Sequence, residues 1–312
     1  MKAVQILGDM SSPKLTTNFS MQKPEPVKSE ILVRVHAAGV TGDEIMWPET
    51  YRRPTRIPGH DISGVIAAFG PDYSGPLKVG QEVFAMLSAE TCEGQADYVV
   101  CTPDEVALKP ASISHAEAAA LPIPVLTAWE VLDYVKIHAG TRVLVTGASG
   151  AVGQQFVQLV KHLTGAYVIT LASAKSKHLL GDVPDEIVDY KTPNWEKSVK
   201  DVDIVFDTVG GEVLAKTWET VKSDGMIITI GDPAPSWAFG GDEPSESLSL
   251  PGVRYKYFIV SPNAERLGQV GKLYDEGVIK PLAVKTFPFE QAVQAWEDAR
   301  QRGKGYKVVI EF

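Results

Sequence analysis

Residues 143–153 read VLVTGASGAVG: a run of valine and leucine closes on a threonine, and glycines follow at positions 147, 150 and 153. The apolar run predicts a buried strand, and AVGQQFVQLVKHL (151–163) has the apolar spacing of an amphipathic helix. A second strand pattern, YVITLA (167–172), arrives within about thirty residues, so the glycines sit in a strand–turn–helix–strand unit. In that context each glycine has a task. Gly147 permits a tight turn, Gly150 lets backbone approach a ligand, and Gly153 lets the helix pack on the strand. The amides that open the helix, with the positive end of its dipole, would face a pyrophosphate. The stretch predicts a dinucleotide site.

The end of the second strand selects the dinucleotide. A site for NAD usually places an acid about 20 residues on, to bind the ribose 2′-hydroxyl. Here the strand ends in TLASAKSK (170–177), with Ser173, Lys175 and Lys177 and no acid. A 2′-phosphate carries roughly −1.5 to −2 charges, which an acid would repel and a lysine attract. The expected cofactor is NADPH.

Two rival chemistries share the strand–turn–helix layout. A nucleophile elbow at Ser149 needs an acid and then a histidine downstream, but the last histidine is His178. A short-chain reductase needs Tyr-x-x-x-Lys, and no tyrosine here has lysine four residues on. Both are excluded.

Outward from the glycines the chain changes texture. Toward the N-terminus lie short alternating runs, ILVRVHAAGV (31–40), ISGVIAAFG (62–70), QEVFAML (81–87) and ADYVVC (96–101), punctuated by Gly, Pro and Asp. They predict a compact β-domain with hairpins. SHAEAAALPIPVLTAWEVLDYV, from Ser114, has Ala-rich helical spacing interrupted near Pro122 and Pro124, and predicts a connection between domains. Beyond the glycines, EIVDY, DIVFDTV and GMIITIG are strand patterns with helical stretches such as GEVLAKTWETV among them, so a parallel sheet is expected. Residues 232–252 are rich in Pro, Gly and Ser and have no periodicity, which predicts a long functional loop. The tail from Lys280 gives strand, helix, strand and is expected to return to the first domain.

A chain of 312 residues suggests about two domains. Its net charge of −9 argues against a nucleic-acid or anionic-membrane partner. Cys92 and Cys101 form no CxxC pair, so neither a zinc cluster nor a disulfide framework is legible. MKAVQILG lacks a signal profile and no apolar stretch reaches spanning length, so a cytoplasmic protein is expected.

Nearly end to end, the chain resembles a zinc-independent medium-chain dehydrogenase/reductase of the quinone oxidoreductase and enoyl reductase type. The resemblance is carried by AAGVTGDE (37–44), PGHDISGVIAAFG (58–70), KVGQEVFA (78–85), AAALPIPVLTAW (118–129), VTGASGAVG (145–153), IVDYKTP (187–193), FDTVGG (206–211) and the closing YKVVIEF. It implies an α/β protein: a Rossmann doubly wound parallel sheet over residues 123–258, and a GroES-like β-rich catalytic domain from 1–122 and 259–312. A homodimer is implied by the same resemblance.

Residue by residue, the resemblance implies that Ser149, Gly150, Ala151 and Val152 form the pyrophosphate loop. Ser173 and Lys175 match the 2′-phosphate grip, with Lys177 beside them, and Tyr190 matches a tyrosine at the adenosine ribose. Gly231, Phe258 and Lys307 match positions around the nicotinamide half, and Thr127 matches a threonine that approaches it. Thr41 stands at a cofactor position where many members have asparagine, and Asp43, two residues on, is a cofactor candidate beside it. Zinc-dependent relatives carry a cysteine at position 41 and continue GHE; here Thr41 and Asp61 replace the cysteine and the glutamate and leave His60, so no metal is expected.

Without a metal to polarise an alcohol, the expected reaction is hydride transfer from NADPH to an activated acceptor: an enone, an enoyl thioester or a quinone. Trp47, Trp237 and Phe239 are candidates to meet this small-molecule acceptor. Tyr51, at the place of a family tyrosine suspected of touching substrate, is the candidate catalytic proton donor. A zinc-type alcohol dehydrogenase and a non-catalytic NADPH-binding protein are the alternatives.

Overall fold

The structure, a computed structural model, describes residues 1–312 and divides into two compact units: Met1–Leu126 with Ser261–Phe312, and Thr127–Val260. The divisions predicted from sequence fall at 122/123 and 258/259. No helix is long and apolar enough to cross a membrane.

In the first unit, β1 (Ala3–Leu7) and β2 (Lys14–Asn18) form a small antiparallel sheet. Five strands follow: β3 (Ile31–Val40), β4 (Asp61–Phe69), β5 (Glu82–Met86), β6 (Tyr98–Cys101) and β7 (Val106–Leu108). β3, β4, β5 and β7 are antiparallel neighbours in that order, and β6 pairs with β3. Ile31, Val33 and Val35 alternate inward from β3 and meet Ile62 and Ile66 of β4 in one core cluster. Ser114 opens the short helix α1 (His115–Ala118) with a capping box closed by Glu117.

The helical stretch is interrupted beside the prolines, as the sequence predicts: α1 ends at Ala118 and the chain turns through residues 119–121 before Pro122. Helix α2 runs unbroken from Pro122 to Val135. Pro122 and Pro124 lie in its first turn, where no intrahelical amide bond exists to lose.

In the second unit, β8 (Arg142–Val145) leads through the glycines into α3 (Ala151–Thr164), which ends on a left-handed Gly165. β9 (Tyr167–Leu171), β10 (Glu186–Val188), β11 (Val202–Asp207), α4 (Gly211–Thr217), β12 (Val221–Thr229) and β13 (Arg254–Tyr257) complete it. The six strands are all parallel, in the order β10-β9-β8-β11-β12-β13. The chain winds one way from β8 and the other way from β11, so the strand order reverses between these two neighbours. In open α/β sheets, ligands bind outside the carboxyl ends of the strands at such a point. Residues 232–252 contain one short 3-10 turn, Ser245–Leu248, and no strand.

The chain then returns to the first unit through α5 (Ala264–Asp275), β14 (Val284–Pro288), α6 (Ala292–Ala299) and β15 (Lys307–Glu311). β15 adds antiparallel to β3 and β14 adds parallel to β15. Trp296 of α6 is fully buried, and its indole N–H donates to Gln95 Oε1 at 2.8 Å.

Candidate functional site

The glycines of the opening stretch meet three different constraints. Gly147 has φ +58°, and a Cβ there would lie 2.3 Å from Thr208 Oγ1. At Gly153 a Cβ would sit 2.6 Å from the Gly147 carbonyl oxygen, so the helix could not pack this close with any side chain. Gly150 is the N-cap of α3 in extended conformation, and its amide donates to the Gly147 carbonyl at 2.8 Å. The first-turn amides after it, including those of Ala151 and Val152, have no intrahelical acceptor and are available to an anion. Ser149 is held from behind: its carbonyl accepts from Gln154 Nε2 at 2.9 Å.

Past β9 the chain turns tightly. Ser173 Oγ and Ser176 Oγ are 2.9 Å apart, and Lys175 and Lys177 are exposed. Asp189, from the end of β10, reaches this turn, where its Oδ2 accepts the Ala174 amide at 3.2 Å and its Oδ1 the Lys191 amide at 2.9 Å. The strand end itself lacks an acid, but the neighbouring strand supplies one that sequence spacing does not reveal. Tyr190, next to it, is exposed.

Gly231 is pressed against the turn after β11, where a Cβ would lie 2.4 Å from the Gly210 amide nitrogen. Phe258 is half-buried, with Tyr134 at 6.5 Å between ring centroids and the Lys256 ammonium between the two rings' reach, 4.1 Å and 5.7 Å from their centroids. Thr127 is buried on α2. The two aromatics of the 232–252 loop part company. Trp237 is half-buried edge-on to Tyr255 in the core of this unit, while Phe239 stands 74% exposed beside Tyr257.

The first unit carries a separate charged cluster. The antiparallel register that pairs Val308 with Val40 sets Lys307 opposite Thr41. Lys307 Nζ donates to Thr41 Oγ1 at 2.8 Å and lies 3.6 Å from Asp61 Oδ2. Asp61 is fully buried. Its Oδ1 takes the Ile123 amide at 2.8 Å, and its Oδ2 has no hydrogen bond. Burial pushes the Asp61 carboxyl up to about 6, against the pull of Lys307 and the Ile123 amide. An ammonium has three N–H groups, so Lys307 keeps donor capacity for a further oxygen.

Next to Asp61, His60 is buried, with Nδ1 3.0 Å from Glu44 Oε1 and the Trp47 ring edge-on at 5.3 Å. Burial opposes charge on this imidazole, but Glu44 and a hydrogen bond with Cys92 outweigh it and carry the pKa up to about 10. His60 is therefore a paired cation. Asp43 precedes this as N-cap of the turn that carries Glu44. Tyr51 donates its hydroxyl to the Ile45 carbonyl at 2.6 Å and packs beside a core cluster, so it would have to release that carbonyl before protonating a substrate.

The residues at the zinc-ligand positions do not fit a zinc ion. Thr41 is a poor ligand, His60 is turned to Glu44, and a lysine ammonium already faces Thr41 and Asp61. No group of three or more His, Cys, Asp or Glu side chains converges as a metal site.

Comparison with known proteins bears on the same segments. The family Zinc-binding dehydrogenase matches residues 184–310, and Alcohol dehydrogenase GroES-like domain matches 27–121. A protein of Arthroderma benhamiae described as a "probable zinc-binding oxidoreductase, mitochondrial" is 30% identical, over 95% of this chain and 93% of its own length. The chloroplastic NADPH-dependent alkenal/one oxidoreductase of Arabidopsis thaliana is 28% identical, over 97% of this chain and 77% of its own. Among solved structures, the quinone oxidoreductase from Coxiella burnetii superposes over 100% of both chains with a TM-score of 0.83 at 24% identity.

Proposed function

Because the chain belongs to the medium-chain dehydrogenase/reductase superfamily, we propose that it transfers hydride from NADPH to an activated C=C bond, in an enone or enoyl thioester, or to a quinone, without a metal. The observation that carries this is the Gly147–Gly153 turn: two glycines with no room for a Cβ, and Gly150 as N-cap between them, open α3 at the point where the strand order reverses. The charged cluster supports the metal-free part, since a protein cation faces the residues that replace zinc ligands.

When bound, NADPH would supply the hydride. The amides at the start of α3 would hold its pyrophosphate, and Ser173, Lys175 and Lys177 its 2′-phosphate, with Tyr190 at the adenosine ribose. Gly231, Phe258 and Thr127 are proposed to line the nicotinamide half. Lys307, oriented by Thr41 and Asp61 and only 10% exposed, would give an N–H to a ligand oxygen. Negative charge that develops on the acceptor's carbonyl oxygen needs a donor fixed in advance. Trp47 and Tyr51 are proposed to contact the acceptor, and Phe239 to cover it.

The test is NADPH consumption by the purified protein with a panel of quinones, enones and enoyl thioesters, and the reverse assay with NADP⁺ and saturated alcohols. Turnover of the first group and not the second is expected. Robust oxidation of an alcohol with no turnover of any enone or quinone would overturn the proposal.

A further inference from the structure

We infer that Asp207 is a positioning residue for the dinucleotide: one buried carboxylate that sets the spacing between the pyrophosphate turn and the nicotinamide-side turns. This rests on the NADPH-binding reading above. Asp207 ends β11 and is fully buried. Its Oδ1 accepts from Thr146 Oγ1, just past β8, and from the Val209 amide at 3.2 Å. Its Oδ2 accepts from the Gly210 amide at 2.9 Å and from Thr229 Oγ1, at the end of β12, at 2.6 Å.

The two threonine hydroxyls pass the connection on. Thr146 Oγ1 accepts the Thr208 amide at 3.1 Å, and Thr229 Oγ1 accepts the Gly231 amide at 2.9 Å. The main chain of Asp207 adds a fifth tie, its carbonyl taking the Ile230 amide at 2.9 Å. The carboxyl ends of three adjacent strands, β8, β11 and β12, are thus keyed to a single side chain. It bridges the two strands between which the strand order reverses.

The chemistry explains why the residue is an aspartate. Each oxygen receives two donors, and only an ionised carboxylate is acceptor-only on both atoms. Every one of the four donors is neutral. Burying a carboxylate without a cation is costly even when it is fully hydrogen-bonded, and a sheet end needs no such device merely to pack. What the arrangement achieves is distance control. The Gly147 turn meets Thr208 with no room for a Cβ, and Gly231 meets Gly210 in the same way. A shift at Asp207 therefore moves both turns, while the adenosine-side turn at 173–177 hangs on β9 and on Asp189 instead.

That division gives a readout that general loosening of the fold would not. Dissociation constants for NADPH and for 2′-AMP, which lacks the 5′-phosphate and covers the adenosine side alone, are measured for wild type, Thr229→Val, Thr229→Ser and Asp207→Asn, with melting temperatures in the absence of ligand. In Thr229→Val the lost internal bonds should lower the melting temperature, and the freed Gly231 turn should weaken NADPH measurably, by about tenfold. Thr229→Ser, which keeps the hydroxyl, should stay within about threefold, and 2′-AMP should be nearly unaffected in all three. Where Asp207→Asn does not fold, the threonine pair decides. NADPH binding by Thr229→Val equal to wild type, or an equal loss of both ligands, overturns the inference and leaves the NADPH-binding reading intact. A wild type that binds neither ligand overturns that reading, and this inference with it.

Discussion

Lys307 Nζ donates to Thr41 Oγ1 at 2.8 Å across 266 residues of sequence, because β15 lies antiparallel to β3 with Val308 opposite Val40. The contact delivers a fixed positive charge to a position where a zinc enzyme would have a thiolate. A second buried cation, His60, sits one residue from Asp61.

The first expectation concerns metal. The purified protein should contain no stoichiometric zinc, and chelators should leave its activity unchanged. Lys307→Met should lower turnover or cofactor affinity without creating a zinc requirement. One zinc per chain by elemental analysis, with activity lost to a chelator, would refute this.

A second expectation is a dependence of stability on pH. Folded His60 holds its proton up to about pH 10, whereas its ordinary value is 6.5. Proton binding therefore favours the fold: the contribution is complete below about 6.5 and is lost as pH rises through about 10. At pH 7, His60→Gln strands the buried Glu44 charge and should cost about 3–5 kcal/mol. The difference in melting temperature between wild type and variant should shrink as pH is raised to 10. Lys304, which burial lowers to about 8, acts in the opposite sense in both proteins, so only the difference is diagnostic. A gap that stays constant from pH 6 to 10 would show that His60 is neutral.

Much of this was legible in the sequence, and the reason differs by element. VLVTGASGAVG announced its strand, turn and helix because Gly147 and Gly153 answer local steric demands and Gly150 caps the helix. The strand–helix–strand pattern of the tail predicted its return to the first unit, and the family resemblance supplied Lys307 as a site residue. What stayed hidden is carried by contacts distant in sequence between polar side chains. Glu44 meets His60 and Asp189 meets the Ala174 amide only once strands have paired. Asp207 stood in plain view in FDTVGG, yet nothing in that string says that Thr146 and Thr229 converge on it. Pro122 and Pro124 marked the break between α1 and α2 because proline is excluded from a helix interior and tolerated in a first turn.

The 232–252 loop should exchange its amides unevenly. Trp237 is anchored against Tyr255, whereas Phe239 and the glycines after it lack such cover. Hydrogen exchange should be fast around residues 239–243 in the free protein and slower once cofactor and acceptor are bound, as a closing segment requires. Around Trp237 it should be slow in both states. Uniformly slow exchange in both states would mark the loop as fixed structure and remove Phe239 from the proposed site.

The choice between NADPH and NADH tests the turn at 173–177 directly. Lys175 and Lys177 are exposed there, and Ser173 is fixed by its contact with Ser176. Asp189 is close by and holds the turn, each of its oxygens accepting one main-chain amide. A hydrogen bond to a charged group contributes about 1.5–3 kcal/mol, or roughly 10- to 150-fold in affinity, with exposure favouring the low end. Lys175→Ala should therefore weaken NADPH by about tenfold and leave NADH nearly unchanged, because only NADPH carries the 2′-phosphate. Added salt should narrow the wild-type preference, since the lysines are open to solvent. Fluorescence titration of both cofactors against both proteins reads each outcome. Equal weakening of the two would mean that Lys175 supports the turn and does not read the phosphate. A wild type that prefers NADH would make NADPH no longer the proposed cofactor, with Asp189 the nearest acid to a ribose.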